Sequence, residues 1–126
     1  MNKVNWTVIV VEDTYDDQQV VSRLLSHYGV EVHIAQNGNE CIALLDHVTP
    51  TLIITDLAMP QRDGWQTLIA VRSNPATAHI PVVAVTAYHA TNVAENAVMA
   101  GFDAYFPKPL NPQTFVERLQ SLLHLS

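Results

Sequence analysis

The sequence predicts one α/β domain in which a parallel sheet is covered by helices on both faces. The chain has 126 residues, the usual size of one domain, and 48% of them are apolar, which is enough for one ordinary core. Short apolar runs typical of buried strands alternate with stretches of helical periodicity, in the order βαβαβαβαβα. The seven prolines lie outside the interiors of these segments, which supports their boundaries.

Five strands are predicted. Residues 6–11, 51–55 and 81–85 are nearly continuous apolar runs, which is typical of strands buried on both faces of a sheet. Residues 30–34 alternate between apolar and polar side chains, which predicts an edge strand with one face in water. Residues 103–106 form a short fifth strand at the opposite edge.

The helices between the strands are predicted from apolar residues that share one helical face. These residues are Val20, Val21, Leu24, Leu25 and Tyr28 in the first helix, Cys41, Ile42, Leu44, Leu45 and Val48 in the second, Leu68, Ile69 and Val71 in the third, and Phe115, Leu119, Leu122 and Leu123 in the fifth. The fourth helix, at 93–100, is rich in alanine. Asn111 before Pro112 predicts the start of the fifth helix, and Gly29 and Gly101 stand where glycines end helices.

Composition excludes several classes of protein. The net charge is −6 with only six Lys or Arg residues, so we expect no nucleic-acid partner and no polybasic membrane anchor. No apolar run reaches the roughly 18–20 residues of a membrane-spanning helix, and the first residues lack the apolar stretch of a signal peptide. The single cysteine, Cys41, lies on an apolar helical face, which predicts a core residue and a cytoplasmic protein. The six histidines show no metal-binding spacing.

Polar residues stand at the end of four of the five predicted strands. Glu12 and Asp13 follow the first strand, Asp56 the third, Thr86 the fourth, and Lys108 comes just after the fifth. Because ligands of open α/β sheets bind beyond the carboxyl ends of the strands, we expect these side chains to meet at one edge.

Three carboxylates at one edge repel one another, by about 4 kcal/mol for a pair at ~4 Å and an effective dielectric near 20. Either the pKa of one carboxyl group rises or a cation binds. A hard divalent cation such as Mg²⁺ is the simple answer, and the ammonium group of Lys108 would complete the charge balance. Asp16 and Asp17 are interpreted differently, as acids of the first helical turn favoured by the helix dipole, after Thr14 in a loose capping box.

Four segments resemble receiver domains of bacterial two-component response regulators, of the single-domain, chemotaxis-regulator-like kind. They are Val-Ile-Val-Val-Glu-Asp at 8–13, Ile-Ile-Thr-Asp-Leu-Ala-Met-Pro-Gln-Arg-Asp-Gly at 53–64, Val-Val-Ala-Val-Thr-Ala at 82–87 and Ala-Tyr-Phe-Pro-Lys-Pro at 104–109. The resemblance extends from Val8 to Leu123. It implies a flavodoxin-like, doubly wound five-stranded parallel sheet of order 2-1-3-4-5 with five helices.

The resemblance also implies the chemistry. Asp56 is expected to be the phosphoacceptor, taking a phosphoryl group from a histidine kinase or a histidine phosphotransfer protein with the help of Mg²⁺. Asp13 is expected to bind the metal directly, as are Asp56 and the backbone carbonyl of Ala58, and Glu12 mainly through water.

The resemblance also gives roles to Lys108, Thr86 and Tyr105. Lys108 would pair with phosphoryl oxygens, and the hydroxyl of Thr86 would swing to another of them. Tyr105 would then rotate inward and remodel the surface formed by the fourth helix, the fifth strand and the fifth helix, where a downstream protein effector is expected. The Lys108–Pro109 peptide bond is expected to be cis.

Four other positions are expected to shape the site. By the resemblance, Pro60 and Gly64 shape its loop, and Ala58 and Tyr88 tune the lifetime of the phosphoryl group. Ala58 has no side chain to orient an attacking water, and Tyr88 is bulky enough to shield the phosphoryl group. Slow self-dephosphorylation is therefore expected.

The leading hypothesis is a single receiver domain spanning residues 1–126, without an output domain, that acts as a signalling module rather than an enzyme. A receiver that is part of a longer regulator or hybrid kinase is an alternative, as is a receiver that only binds partners. The face of the fourth helix, with Thr91, Asn92, Glu95 and Asn96, lacks the charge pairs of transcription-factor-type receiver dimers, so a monomer, or a weak dimer after phosphorylation, is expected.

Two other classes of protein share parts of this pattern. A phosphohydrolase of the haloacid dehalogenase type needs a second Asp two residues after the nucleophile, where this chain has Ala58. A flavodoxin-like electron carrier needs a first loop that binds phosphate, but the loop at 12–17 is acidic and repels it.

Overall fold

The computed structural model describes residues 4–57, 63–87 and 92–124. Strands and helices alternate as predicted. The strands are β1 (Thr7–Val11), β2 (Glu31–Ala35), β3 (Leu52–Asp56), β4 (Val82–Thr86) and β5 (Ala104–Pro107). The helices are α1 (Tyr15–Ser26), α2 (Gly38–Leu44), α3 (Gly64–Ser73), α4 (Val93–Ala100) and α5 (Pro112–His124). In the described parts of the chain, no helix is long and apolar enough to cross a membrane.

The five strands form one parallel sheet in the order β2-β1-β3-β4-β5, which confirms the predicted fold. The strand order reverses between β1 and β3. The connections from these two strands therefore leave in opposite directions and open a crevice at their carboxyl ends. Glu12 follows β1 directly, and Asp56 is the last residue of β3, so both acidic positions border that crevice.

Each face of the sheet carries its own apolar core. Val8 and Val10 point to the face covered by α1 and α5, where they join Leu25 and Phe115. Alternate residues of the same strand, including Ile9, point to the face covered by α2, α3 and α4. The residues of β3 and β4 are all buried, as the continuous apolar runs predict.

Side chains that precede the helices cap their free N–H groups. Thr14, Asn37 and Asp63 each accept a hydrogen bond from the backbone three residues on. Asn111 does the same at the start of α5, as predicted.

Two helix ends can be compared with their predictions. Gly101 ends α4 in the left-handed conformation, with φ 111°, as its position predicted. By contrast, α2 is shorter than its apolar face indicated. It ends at Leu44, and Leu45 and Val48 pack against the core from the turn that follows.

Candidate functional site

The site is a small charged cluster at the carboxyl edge of the sheet. The Nζ atom of Lys108 lies 2.9 Å from Oε1 of Glu12 and 3.2 Å from Oδ2 of Asp56. These three residues come from the ends of β1, β3 and β5. These contacts bring together three of the five strand-end residues that were predicted to meet.

Lys108 is held in place by the neighbouring strand. Its backbone N–H donates to the carbonyl of Thr86, the last residue of β4, over 3.0 Å, and its peptide bond to Pro109 is cis, as expected. Burial alone would lower the pKa of Lys108, but Glu12 and Asp56 outweigh burial and hold that pKa above its ordinary value. The ammonium group therefore stays charged, fixed among carboxylates.

Glu12 is the most deeply buried acid of the cluster, with 0% of its surface exposed. Burial raises the pKa of Glu12 to about 7, although Lys108 works in the opposite direction. Its Oε2 has no hydrogen-bond partner among the described residues. Its backbone carbonyl accepts a hydrogen bond from Nε2 of Gln18, over 2.9 Å. A buried carboxylate oxygen with no such partner is suited to a further cation or to a metal-bound water.

The acidic side chains at this edge can hold a metal ion. Glu12, Asp13 and Asp56 each offer a carboxylate oxygen, and these oxygens lie within 4.8 Å of one another. Glu12 and Asp56 are buried, whereas Asp13 is exposed. Oxygen ligands of this kind, open to solvent on one side, fit Mg²⁺, which keeps several of its waters.

Asp17 also belongs to the cluster, which the sequence interpretation missed. Its Oδ2 lies 3.3 Å from Nζ of Lys108, and its side chain is 43% exposed. The sequence pattern assigns Asp17, like Asp16, to a favourable interaction with the helix dipole alone. That assignment is incomplete because the first turn of α1 rises beside the end of β1 and carries one of its two acids over Lys108. The helical pattern alone does not distinguish the two acids.

Thr86 and Tyr105 lie where the strand order places them. Thr86 ends β4, the strand paired with β3, and is 1% exposed. Tyr105 lies on the edge strand β5 and is partly buried against the core on the α4 side. Their proposed motions are not tested by this arrangement and remain predictions.

Gly64 explains how α3 can begin beside the end of β3. A Cβ atom at this position would lie 2.3 Å from the backbone oxygen of Asp56 and 2.9 Å from Cα of Leu57. Only a residue without a side chain fits there. The roles predicted for Ala58, Pro60 and Tyr88 lie outside the described residues.

Comparison with known proteins gives a consistent result. The family described as the response regulator receiver domain matches residues 8–120. The polar-differentiation response regulator DivK of Brucella anthropi is 30% identical over 117 residues, which is 93% of this chain and 95% of that protein. Histidine kinase P4 of Formosa agariphila is also 30% identical over 117 residues, but these span only 8% of that protein. The structure of the chemotaxis response regulator CheY4 of Vibrio cholerae superposes with a TM-score of 0.84 at 28% identity, covering 94% of this chain and 99% of that one.

Proposed function

The chain belongs to the response regulator receiver domains, the signalling modules of two-component systems, and we propose that it accepts a phosphoryl group on Asp56. The observation that carries this proposal is the contact of Lys108 with the carboxylates of Glu12 and Asp56 at the carboxyl edge of the sheet. The family signals rather than performing metabolic chemistry, so the reaction at this site serves to change the protein itself.

The proposed donor is a phosphohistidine on a histidine kinase or a phosphotransfer protein. A carboxylate oxygen of Asp56 attacks the phosphorus, forming a P–O bond as the P–N bond breaks. The electron pair of that bond leaves with the imidazole. Protein groups do little covalent work in such a transfer, so positioning and charge stabilisation dominate. Lys108 supplies a fixed positive charge for the phosphoryl oxygens.

A divalent cation completes the proposed site. Asp13, Asp56 and the backbone carbonyl of Ala58 would hold Mg²⁺ directly, and Glu12 through water. When bound, Mg²⁺ supplies positive charge beside the transferring oxygens. Two observations support this assignment: a buried Glu12 oxygen has no hydrogen-bond partner in the described part of the chain, and the carboxylate oxygens lie within 4.8 Å of one another.

Signal output is proposed to pass through Thr86 and Tyr105. A hydrogen bond from Thr86 to the phosphoryl group favours one of two conformations, and Tyr105 follows by turning inward. The surface affected is formed by α4, β5 and α5, to which a protein effector is proposed to bind. Met99 on α4, 85% exposed, supports such a contact. The proposal includes a long-lived phosphoryl group. Ala58 has no side chain to orient an attacking water, and Tyr88 is bulky enough to shield the phosphoryl group from water.

The remaining assignments rest on the sequence. We propose a cytoplasmic location, because the single cysteine needs no oxidising compartment and the proposed donors act there. One receiver domain over residues 1–126, acting as a monomer or a weak dimer, also stays a prediction.

The direct test is phosphorylation by a small donor. Purified protein is incubated with acetyl phosphate, with and without Mg²⁺, and its intact mass is recorded. We expect one hydroxylamine-sensitive phosphoryl adduct that requires Mg²⁺ and disappears in Asp56→Asn. The matched control is Asp46→Asn, which changes an exposed aspartate outside the site and should leave the adduct unchanged. A folded wild-type protein that gains no adduct from acetyl phosphate or phosphoramidate would contradict the proposal.

A further inference from the structure

The ammonium group of Lys108 lies in ion-pair contact with three carboxylates. It carries three N–H donors. Three acceptors lie within 3.3 Å of Nζ: Oε1 of Glu12, Oδ2 of Asp56 and Oδ2 of Asp17. A phosphoryl group arriving on Asp56 therefore adds acceptors to a cation that already has three.

The three carboxylates differ in the free energy that is lost when each gives up its contact with Lys108. The side chain of Glu12 is 0% exposed and that of Asp56 is 10% exposed, so each would be left charged and poorly hydrated. The side chain of Asp17 is 43% exposed, and water can replace Lys108 there. Asp17 is therefore the contact that Lys108 gives up most easily. As the most exposed of the three, it also lies at the solvent side of the cluster, from which an anionic donor must approach.

We propose that Asp17 is a positioning residue that holds the ammonium group of Lys108 in the unphosphorylated protein and thereby slows entry of the phosphoryl group. The inference rests on the proposed phosphorylation of Asp56. Asp17 acts through Lys108 and touches no reacting atom. In the phosphorylated protein its contact with Lys108 is exchanged for water, and the freed N–H donor turns to a phosphoryl oxygen.

The test compares two neighbouring acids. Asp17→Asn and Asp16→Asn remove the same charge from the same helical turn, but only Asp17 contacts Lys108. At saturating Mg²⁺, we expect Asp17→Asn to be phosphorylated by acetyl phosphate about two to five times faster than Asp16→Asn, as the strength of exposed ion pairs implies. Thermal unfolding of both variants controls for damage to α1.

A second measurement detects the contact without phosphorylation. The chain has two lysines, Lys3 and Lys108, so protein labelled with ¹⁵N at lysine gives two ammonium signals, which Lys3→Arg assigns. We expect Asp17→Asn to shift the Lys108 signal and Asp16→Asn to leave it in place.

The positioning role is overturned if Asp17→Asn reacts no faster than Asp16→Asn, or if the Lys108 signal does not respond to Asp17→Asn. If instead the wild-type protein is never phosphorylated, the proposed function fails, and the lysine signals still report whether Asp17 holds Lys108. The two failures can therefore be told apart.

Discussion

Glu12 is a buried acid. Its burial suits the proposed metal site but lowers the stability of the fold when the side chain is ionised. It is 0% exposed, and its only cationic neighbour among the described residues is Lys108, which it shares with Asp56 and Asp17. Burial raises the pKa of Glu12 from 4.5 to about 7. The folded protein therefore holds a proton at Glu12 over a pH range in which the unfolded chain has lost it.

The sign of the resulting pH dependence follows from linkage. Because the folded state binds more protons, the Glu12 contribution to stability is present at low pH and is lost as pH rises through 7. In EDTA, we expect the free energy of unfolding of the wild type, relative to Glu12→Gln, to fall by roughly 2 kcal/mol between pH 5 and pH 8. Urea titrations of both proteins measure this difference. Parallel curves for the two proteins would show that Glu12 is ionised at both pH values.

Cys41 confirms a simpler prediction from its position on an apolar helical face. It is 0% exposed within the core below α2, and burial raises the pKa of its thiol to about 12. Because its thiol is hardly ionised at neutral pH and is buried from solvent, Cys41 serves to pack the core.

The start of α3 is constrained by the backbone of a neighbouring strand. The N–H of Gly64 lies 3.3 Å from the carbonyl of Leu57, and the place of its missing Cβ is taken by the backbone of Asp56 and Leu57. The end of β3 and the first turn of α3 are thus in direct contact. We therefore expect a change at Gly64 to affect Asp56, the proposed phosphoacceptor.

Gly64→Ala should therefore destabilise the protein, although alanine favours helices by about 1 kcal/mol over glycine. We expect a net loss of about 1–3 kcal/mol because the strand end or the helix must shift, with slower phosphorylation of Asp56. Urea unfolding and the acetyl phosphate rate test this. Gly38→Ala, the same change at the first position of α2, is the control. Equal effects of the two substitutions would argue against a special role for the close approach.

Arg72 makes a second link between elements, at the opposite edge of the sheet. From the last turn of α3 it donates to the carbonyls of Ala78 and Ile80 and pairs with Asp103 over 2.8 Å. Asp103 also accepts the backbone N–H of Val82 over 2.8 Å. These contacts tie α3 to the starts of β4 and β5.

The fold as a whole concentrates negative charge at one edge of the sheet. Both faces of the sheet are filled by apolar cores, so the polar side chains at the strand ends are left at the crevice where the strand order reverses. Among the residues that the structure describes, Lys108 is the one cation paired with Glu12, Asp17 and Asp56 there. A cation bound at this edge would therefore stabilise the entire folded state.

Mg²⁺ should raise the thermal stability of the wild type. At ten times its dissociation constant, a ligand of the folded state adds roughly 1.4 kcal/mol, which corresponds to a rise in Tm of roughly 3–8 °C for a domain of this size. Asp13→Asn, which removes the exposed carboxylate of the group, should lose most of this rise. Thermal unfolding with MgCl₂, against NaCl of equal ionic strength, is the measurement. A rise that survives Asp13→Asn would place the ion elsewhere.

Much of this architecture follows from local patterns in the chain. Buried strands need continuous apolar runs and helices need one apolar face, so the five strands and five helices were predictable. The order of the chain then placed Glu12, Asp56, Thr86 and Lys108 at the ends of strands. The two acids of the first turn of α1 were not separable, because the helix dipole favours both equally. Only the packed structure shows that Asp17 reaches Lys108, 91 positions along the chain, that Gly64 must leave room for the backbone of Asp56, and that Arg72 joins three elements. These contacts depend on distances between elements that are remote in sequence, and such distances are decided by how the two cores pack rather than by any local pattern.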